Sequence, residues 1–136
     1  MVVDRQGIPL AVTVSAANVH DSRMMLQTMD AIEPIKGRRG RPRKRPAKLH
    51  ADKAYDSQPL REELRQRGIT PRIARRGIES SERLGRHRWV VERTLSWLNR
   101  YRRLRIRYER RADIHLAFLH IGCALICWNF VNHEFC

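Results

Sequence analysis

Residues 49–74 constrain the fold of this chain more than any other stretch. Residues 49–52 predict a short strand that ends in an acid, and residues 58–68 show two leucines four apart before a glycine, which is typical of a helix and its stop. Residues 69–74 predict another strand, at an edge or a strand start because it contains a proline. Strand, helix and strand in succession favour the α/β class. In such sheets, acids at the carboxyl end of a strand face the crevice where ligands bind.

The segment 2–14 predicts a β-hairpin, because two runs of β-branched residues flank a polar turn. A hairpin alone is marginal in water, so this one indicates that the chain is part of a larger unit. A helix is expected next over residues 23–32, with Asp21 or Ser22 as its cap and Pro34 beyond its end. Its methionine-rich face is typical of a core.

Another helix is expected over residues 86–101. Helical spacing places Val91, Leu95 and Leu98 on one apolar stripe, typical of a helix face that packs on a core. Glu92 lies on the opposite, polar side, four residues after Arg88. Glu92 is therefore either a surface charge paired with Arg88, worth about 0.2–0.5 kcal/mol, or an acid placed for chemistry. The three tryptophans of the chain, Trp89, Trp97 and Trp128, are also expected in the core, with a partly exposed Trp89 that stacks on a nucleic-acid base as the alternative for that residue.

The charge of the chain favours a polyanionic partner. Lys and Arg total 28 against 14 acids, which gives a formal net charge of +14. Of the 28 basic residues only four are Lys. Arg binds phosphate in a bidentate way and stacks on bases, so nucleic acid is a better candidate than a membrane surface.

Residues 36–48, called the basic segment below, hold eight basic residues and no acid. Glycine and proline predict a flexible loop without regular structure, which like charges keep extended. Residues 39–42, Arg-Gly-Arg-Pro, resemble an AT-hook, in which arginines enter the narrow minor groove of A·T-rich DNA. The alternative is a solvated loop that touches phosphates without choosing a sequence.

Residues 114–131 are apolar and uncharged and just reach the length of a membrane span. Two histidines, Gly122 and Asn129 dilute that pattern, so we expect instead a helix buried beneath a sheet. Cys123 and Cys127 lie on this segment, with no second Cys or His cluster at zinc spacing. Both are therefore expected to be reduced and packed in a core.

An acid at a strand end and another on a later helix, in a basic α/β chain, suggest metal-dependent phosphoryl chemistry. Asp52 and Glu92 are the two best-placed acids. Mg²⁺ prefers carboxylate oxygens and keeps water or phosphate in its other positions. Two such ions, held by about three carboxylates, can activate an attacking oxygen and stabilise the leaving one.

Several separated motifs occur in order along the chain: residues 18–22 (NVHDS), 51–57 (ADKAYDS), 88–94 (RWVVERT), 97–98 (WL), 101–104 (YRRL) and 107–109 (RYE). Together they resemble the C-terminal part of the catalytic domain of bacterial insertion-sequence transposases of the DDE class. The resemblance implies a ribonuclease-H-like (retroviral-integrase-like) core, two-metal chemistry with Mg²⁺ or Mn²⁺, and DNA cleavage and strand transfer at insertion-sequence ends. It implies that Asp52 is the second catalytic Asp, that Glu92 is the catalytic Glu, and that both bind metal.

Three features depart from that family. The Tyr and Lys of its signature fall at Gly85 and Asn99, with Arg100 next to the latter, while Arg88 matches the signature Arg. No residue matches the first catalytic Asp, because the chain is expected to start at the second strand; Asp4 and Asp21 are not assigned that role. The N-terminal DNA-binding region also has no counterpart.

Residues 1–136 are therefore expected to form one partial catalytic domain, incomplete at its N-terminus, with an apolar C-terminal helix. The isolated chain is expected to be inactive. It would be a truncated copy or a second reading frame, with an upstream-frame product as a candidate source of the first Asp. A homo-oligomer is expected when the enzyme is complete.

The expected partner is double-stranded DNA, from both transposon ends and target. The start of the chain lacks the pattern of a signal peptide, so we expect a cytoplasmic protein at the bacterial nucleoid, and no membrane. One alternative is a non-catalytic basic module, either a DNA binder that uses the AT-hook-like loop or an RNA-binding protein. Another is a decayed fragment without function. Candidate DNA-binding residues are Arg39, Arg41, Arg43, Lys44, Arg45, Arg88, Arg93 and Arg100.

Overall fold

The computed structural model describes residues 1–75 and 85–132, and only the backbone of residues 85–88. Residues 75–85 are polar and bounded by glycine, which predicts a loop. Almost all of that loop lies outside the described ranges, and so does Cys136. A short 3-10 turn, Lys53–Tyr55, follows β3. The mixed α/β class is confirmed. The strands and α-helices, in chain order, are β1 (Val2–Val3), β2 (Pro9–Ala11), α1 (Asp21–Asp30), β3 (Lys48–Ala51), α2 (Gln58–Gln66), β4 (Thr70–Ile73), α3 (Gly85–Leu98), α4 (Arg102–Arg105) and α5 (Ala112–Val131).

The predicted hairpin is present, and β1 pairs with β2 in antiparallel fashion. The Asp4 side chain closes the turn, because its Oδ1 accepts hydrogen bonds from the amides of Gln6 and Ile8, both at 2.8 Å. Gly7 has a φ of +87°, in the region that favours glycine. The second strand ends at Ala11, three residues before the predicted end at residue 14.

The strand–helix–strand prediction for residues 49–74 is confirmed. β3 and β4 pair in parallel, from Lys48 opposite Thr70 to Ala51 opposite Ile73, and α2 makes the crossover. Pro71 lies within β4, where its missing N–H suits an outer strand. Within the described residues β1 pairs only with β2, and β3 only with β4, so the strands form two separate sheets.

The main core lies between α1, α2 and the parallel strands, and the methionine-rich face of α1 belongs to it, as predicted. Its seven buried residues are Met25, Met29, Ile32, Leu60, Leu64, Ile69 and Ile73. Each such side chain stabilises the fold by about 1.5–3 kcal/mol through burial. The predicted cap of α1 is wrong: the N-cap is His20, whose Nδ1 accepts from the Ser22 amide at 3.2 Å.

A second buried group joins α3 to α5. Val90, Thr94, Leu98 and Ile126 are buried, whereas Leu95 is 44% exposed, so the predicted apolar stripe is wrong at that position. The helix rotates by about 100° per residue, and the close contact of the hairpin with Thr94 turns Leu95 outward.

The burial predicted for the C-terminal helix is also wrong. In α5 only Gly122 and Ile126 are buried, while Ile121 is 56% and Trp128 62% exposed. The sheets described here have two strands each, so they offer little surface to cover an all-round apolar helix. By length and composition α5 is the one helix in the described ranges that could cross a membrane, and a single helix of this kind is weak evidence of a membrane protein.

Cys123 and Cys127 are unpaired thiols, as expected, but only partly buried. Burial, with a smaller contribution from Cys127, raises the pKa of the Cys123 thiol to about 11. Cys123 therefore stays protonated at neutral pH and is a poor nucleophile.

Candidate active site

Asp52 lies directly after β3, at the end of the strand where its motif predicts it. It caps the 3-10 turn: its Oδ1 accepts from the Lys53 amide at 2.5 Å, and its carbonyl accepts from the Tyr55 amide at 3.0 Å. The strand thus ends with the carboxylate held against the first amide of the turn. This places Asp52 at the carboxyl edge of the parallel strands, where ligands bind in α/β sheets.

A buried ion pair holds the other end of this turn. The Arg61 guanidinium donates from Nε and Nη2 to Asp56 Oδ1, at 2.9 and 2.7 Å. Nη2 also donates to the carbonyl of Ile73, at the end of β4, at 2.8 Å. Arg61 therefore ties the turn that carries Asp52 to the neighbouring strand, a role that the sequence analysis missed because the partner strand lies beyond the helix.

Glu92 lies on α3, which is docked on the hairpin turn. Thr94 Oγ1 donates to the carbonyl of Gly7 at 2.7 Å and lies 3.1 Å from the carbonyl of Val90. A Cβ on Gly7 would meet Thr94 Oγ1 at 2.9 Å, so only glycine permits this approach without movement. With Thr94 fully buried against the hairpin, Glu92 two residues earlier faces away from that contact and is exposed.

A cleft of about 680 Å³ lies between the hairpin, the start of α1, β3 and α3, and both Asp52 and Glu92 line it. These two acids are separated by 92 − 52 = 40 residues in the sequence. The cleft is also lined by Val2 and Val3 of β1, by Leu49 and Ala51 of β3, and by Asp21 and Tyr55.

Tyr55 was not singled out by the sequence, although it lies in the same motif as Asp52. Burial raises the pKa of its phenol, and the carboxylates of Asp21 and Asp52 raise it further. The phenol therefore stays neutral and can donate a hydrogen bond within the cleft at any physiological pH. Asp21, from the motif at residues 18–22, is the other acid beside this ring.

The donor chemistry of the cleft fits a divalent cation in part. Carboxylate oxygens are the ligands that Mg²⁺ and Mn²⁺ prefer, and Asp52 and Glu92 supply them. Among the described residues, however, no three His, Cys, Asp or Glu side chains lie close enough to hold a metal. Asp4 also lines the cleft, but its Oδ1 already accepts two amides of the hairpin turn.

The candidate DNA-binding residues fall into two groups. Those of the basic segment and Arg100 are exposed, as expected for a nucleic-acid surface: Arg39, Arg41, Arg43, Lys44, Arg45 and Arg100. Arg93 differs, because its guanidinium lies 4.3 Å from the ring centre of Trp89 and 4.8 Å from that of Trp97. Its Nη2 donates to the carbonyl of Gln6 at 2.5 Å. The side chain of Arg88 lies outside the described part.

The tryptophans are less buried than predicted. Trp89 is 48% and Trp128 62% exposed, so their assignment to the core is wrong. Trp97 is partly buried and packs edge-on against Phe130, with ring centres 5.7 Å apart. The Trp89 ring packs against the Arg93 guanidinium, and a cation stacked on one face of a ring leaves the other face open.

The basic segment has one element of structure that its composition does not predict. Ile35 and Arg43 exchange two backbone hydrogen bonds, each of 2.8 Å, as an isolated antiparallel bridge. Residues 36–42 between them form a loop, called the closed loop below. The rest of the segment up to β3 has no regular structure, as predicted.

Comparison with known proteins points to one family. The profile of the family described as "Transposase DDE domain" matches residues 1–130. The chain is 56% identical over 129 residues to a protein of Burkholderia cepacia named for the transposase of insertion sequence element IS402. That similarity covers 95% of this chain and 61% of the relative, so the chain spans about three-fifths of the relative's length. No solved structure matches the chain.

Proposed function

Because the chain belongs to the family of transposase DDE domains, we propose that it is the part of a DNA transposase that supplies the two catalytic carboxylates Asp52 and Glu92. The resemblance seen in the motifs is thereby confirmed at the level of the family. One observation supports the assignment of the two residues above all others: they line the same cleft although 40 residues separate them (92 − 52). The proposed reaction is attack of water, and then of a DNA 3′-hydroxyl, on phosphodiesters at insertion-sequence ends.

Domains of this family generally use divalent metal ions, and we propose Mg²⁺ or Mn²⁺, held by Asp52 and Glu92. When bound, such ions activate an attacking oxygen and stabilise the leaving one. The chain contributes the orientation of the two acids. The Lys53 amide and the Arg61–Asp56 pair hold the turn of Asp52, and the contact of Thr94 with Gly7 holds the helix of Glu92.

The third carboxylate is proposed to come from a strand that occupies the cleft. Val2 and Val3 of β1 line one part of it, and Leu49 and Ala51 of β3 line another. Within the described ranges these strands pair only with β2 and β4. A strand placed between them would join the two sheets, complete a ribonuclease-H-like core and carry an acid to Asp52. An upstream-frame product, or the further part of a longer chain such as the relative, would supply it.

Duplex DNA is the proposed partner, and the proposed site of action is the bacterial cytoplasm at the nucleoid. The net charge of +14 and the exposed arginines of the basic segment, with Arg100, support this. Each phosphate that these cations neutralise releases counterions, so affinity should fall steeply with salt. Arg93 is left out of the proposed DNA surface because its guanidinium is engaged between two tryptophans.

The assignment of the two acids can be tested by metal-directed cleavage of the protein. Fe²⁺ in place of Mg²⁺, with ascorbate and peroxide, should cut the backbone near Asp52 and Glu92, and mass spectrometry would locate the cuts. Asp52→Asn and Glu92→Gln should abolish both cuts. Asp30→Asn, which changes an exposed acid outside the cleft, is the matched control and should leave them unchanged. Cuts that persist in both cleft variants would overturn the proposed site.

A plasmid-nicking assay is the second test of the two acids. The chain alone should not nick a supercoiled plasmid with Mg²⁺ or Mn²⁺, whereas the full-length relative should, and Asp52→Asn or Glu92→Gln at the matching positions should remove that activity. Robust cleavage by the chain alone that survives Asp52→Ala would overturn the assignment.

The alternative function, a non-catalytic basic module, is favoured by the exposed closed loop. It predicts that substitution of Asp52 or Glu92 leaves DNA binding unchanged, and that no metal-dependent cuts appear at residues 52 and 92.

A further inference from the structure

The closed loop, residues 36–42, differs from a charged tail because the residues that flank it, Ile35 and Arg43, are hydrogen-bonded to each other. Ile35 donates to the carbonyl of Arg43 and Arg43 donates to the carbonyl of Ile35, both at 2.8 Å. The bridge brings the ends of seven residues together, which reduces the conformational entropy that binding would otherwise cost. The loop is therefore both preformed and exposed to solvent.

The loop has a glycine, Gly40, between two of its arginines. Gly40 has a φ of +90°, and a Cβ placed on it would find no atom within 4 Å. No packing contact therefore requires glycine here, and the backbone conformation alone explains it. Arg39 and Arg41 flank Gly40, and every residue of the loop is exposed.

Among the described residues, no acid pairs with the cations of the loop. The loop carries Lys36, Arg38, Arg39 and Arg41, with Arg43 at its base, and contains no acid. In the part of the chain that the structure describes, none of these cations forms an ion pair: the recorded pairs all involve other basic residues. Holding so many cations on one short loop costs energy unless a polyanion lies against them.

The position of the loop links it to the cleft. Its C-terminal arm runs from Arg43 into β3, and Pro46 and Lys48 on that arm line the cleft of Asp52 and Glu92. Lys48 lies five residues after Arg43, a separation of at most about 18 Å when the chain is extended. A duplex has a helical repeat of about 34 Å, so the loop would contact the DNA within roughly one turn of a phosphodiester in the cleft.

We propose that the closed loop inserts Arg39 and Arg41 into the minor groove of A·T-rich duplex DNA, within about one turn of the bond that the cleft acts on. The proposal rests on the proposed function for the DNA in the cleft, and it adds a sequence preference that the acids cannot supply. The minor groove is about 6 Å wide, and A-tracts make it narrower and more negative, which favours a loop with arginines on both sides of a glycine. G·C pairs place the guanine N2 amino group in that groove and should exclude the loop.

The test compares binding of the whole chain to duplexes of equal length that differ only in their base pairs. We expect at least tenfold tighter binding to A·T-rich than to G·C-rich DNA at fixed salt. Inosine in place of guanine removes the minor-groove amino group and keeps the hydrogen-bonding edge of the major groove, so an I·C duplex should bind like A·T. Equal affinities, or an I·C duplex that binds like G·C, would refute the proposal.

Two matched pairs of variants test the loop itself. Gly40→Ala adds one methyl group, changes no charge and contacts nothing, yet its φ of +90° is strained for alanine, so the A·T preference should fall to less than threefold. Gly37→Ala lies in the same loop, has an ordinary φ and meets only one backbone atom at 4.0 Å, so it should keep the preference. Arg39→Lys with Arg41→Lys should lose it at equal charge, whereas Arg23→Lys on α1 should not.

The outcomes separate this inference from the proposed function. Asp52→Asn should leave the A·T preference intact, because the loop does not use the cleft acids. An absent preference together with intact metal-directed cuts at residues 52 and 92 would refute the loop alone. An RNA duplex that binds as tightly as A·T DNA would show that phosphate contact suffices and would overturn minor-groove insertion. No binding to any duplex would overturn both the loop assignment and DNA as the partner.

Discussion

Removal of the Asp56 carboxylate should destabilise the fold by about 3 kcal/mol, because it leaves a buried guanidinium without its counter-charge. The Arg61 side chain is 8% exposed and that of Asp56 20% exposed. Removing one partner of a buried ion pair costs about 3–5 kcal/mol of folding stability, and the partial exposure of Asp56 favours the lower end of that range. For a chain of 136 residues each kcal/mol shifts the melting temperature by roughly 3–5 °C, so Asp56→Ala should melt about 10 °C lower.

The chain provides a matched control for this prediction. Asp30 and Arg67 form an ion pair with the same N···O distance, 2.7 Å, but their side chains are 65% and 27% exposed. Asp30→Ala should therefore cost less than about 1 kcal/mol. Arg61→Met added to Asp56→Ala should recover part of the lost stability, because it removes the buried positive charge that has lost its partner. Urea unfolding followed by circular dichroism measures all four proteins, and equal losses for Asp30→Ala and Asp56→Ala would refute the argument from burial.

Two further predictions concern the docking of α3 and the thiol on α5. Thr94→Val should cost roughly 1–3 kcal/mol in urea unfolding, since the carbonyl of Gly7 loses its donor, whereas Thr94→Ser keeps that hydrogen bond and should cost less. Cys123, with a pKa of about 11 against a reference of 9.0, should be alkylated at pH 8 about a hundredfold more slowly in the native chain than in urea, as read by mass spectrometry. Its neutral thiol stabilises the fold below pH 9, and that contribution is lost as the pH rises toward 11; equal alkylation rates in both states would contradict it.

The elements that the sequence predicted well are those with strong local signals. The helix at Gln58–Gln66 has its apolar pair and its glycine stop, and this helix and its two flanking strands were all placed within two residues. The position of Asp52 at the end of β3 followed from the same signals. The methionine-rich face of α1 was assigned to the core correctly because helical periodicity alone identifies one apolar side.

The predictions that were wrong concern which surfaces are covered. The segment of α5 is apolar on all sides, so periodicity cannot tell its buried side from its exposed one. The structure buries it at Gly122, where a Cβ would lie 2.8 Å from Leu104 and 2.9 Å from Leu98, and leaves Trp128 exposed. The N-cap of α1 is His20 because its ring nitrogen accepts a hydrogen bond from the Ser22 amide, whereas an Asp or Ser side chain is the more usual cap.

The position of Glu92 shows why the candidate site could be predicted only in part. A local pattern identified the helix and its polar side, but the side of α3 that meets the hairpin depends on contacts with residues 87 positions earlier: Thr94 with Gly7 and Arg93 with Gln6. The first contact requires a glycine at φ +87°, because a Cβ there would lie 2.9 Å from the Thr94 hydroxyl. The turn at Gly7 therefore helps to place the acid on α3, and through it the cleft with Asp52. Such a contact pairs a small turn residue with a buried hydroxyl, two features that each look ordinary in the sequence and become informative only once the fold brings them together.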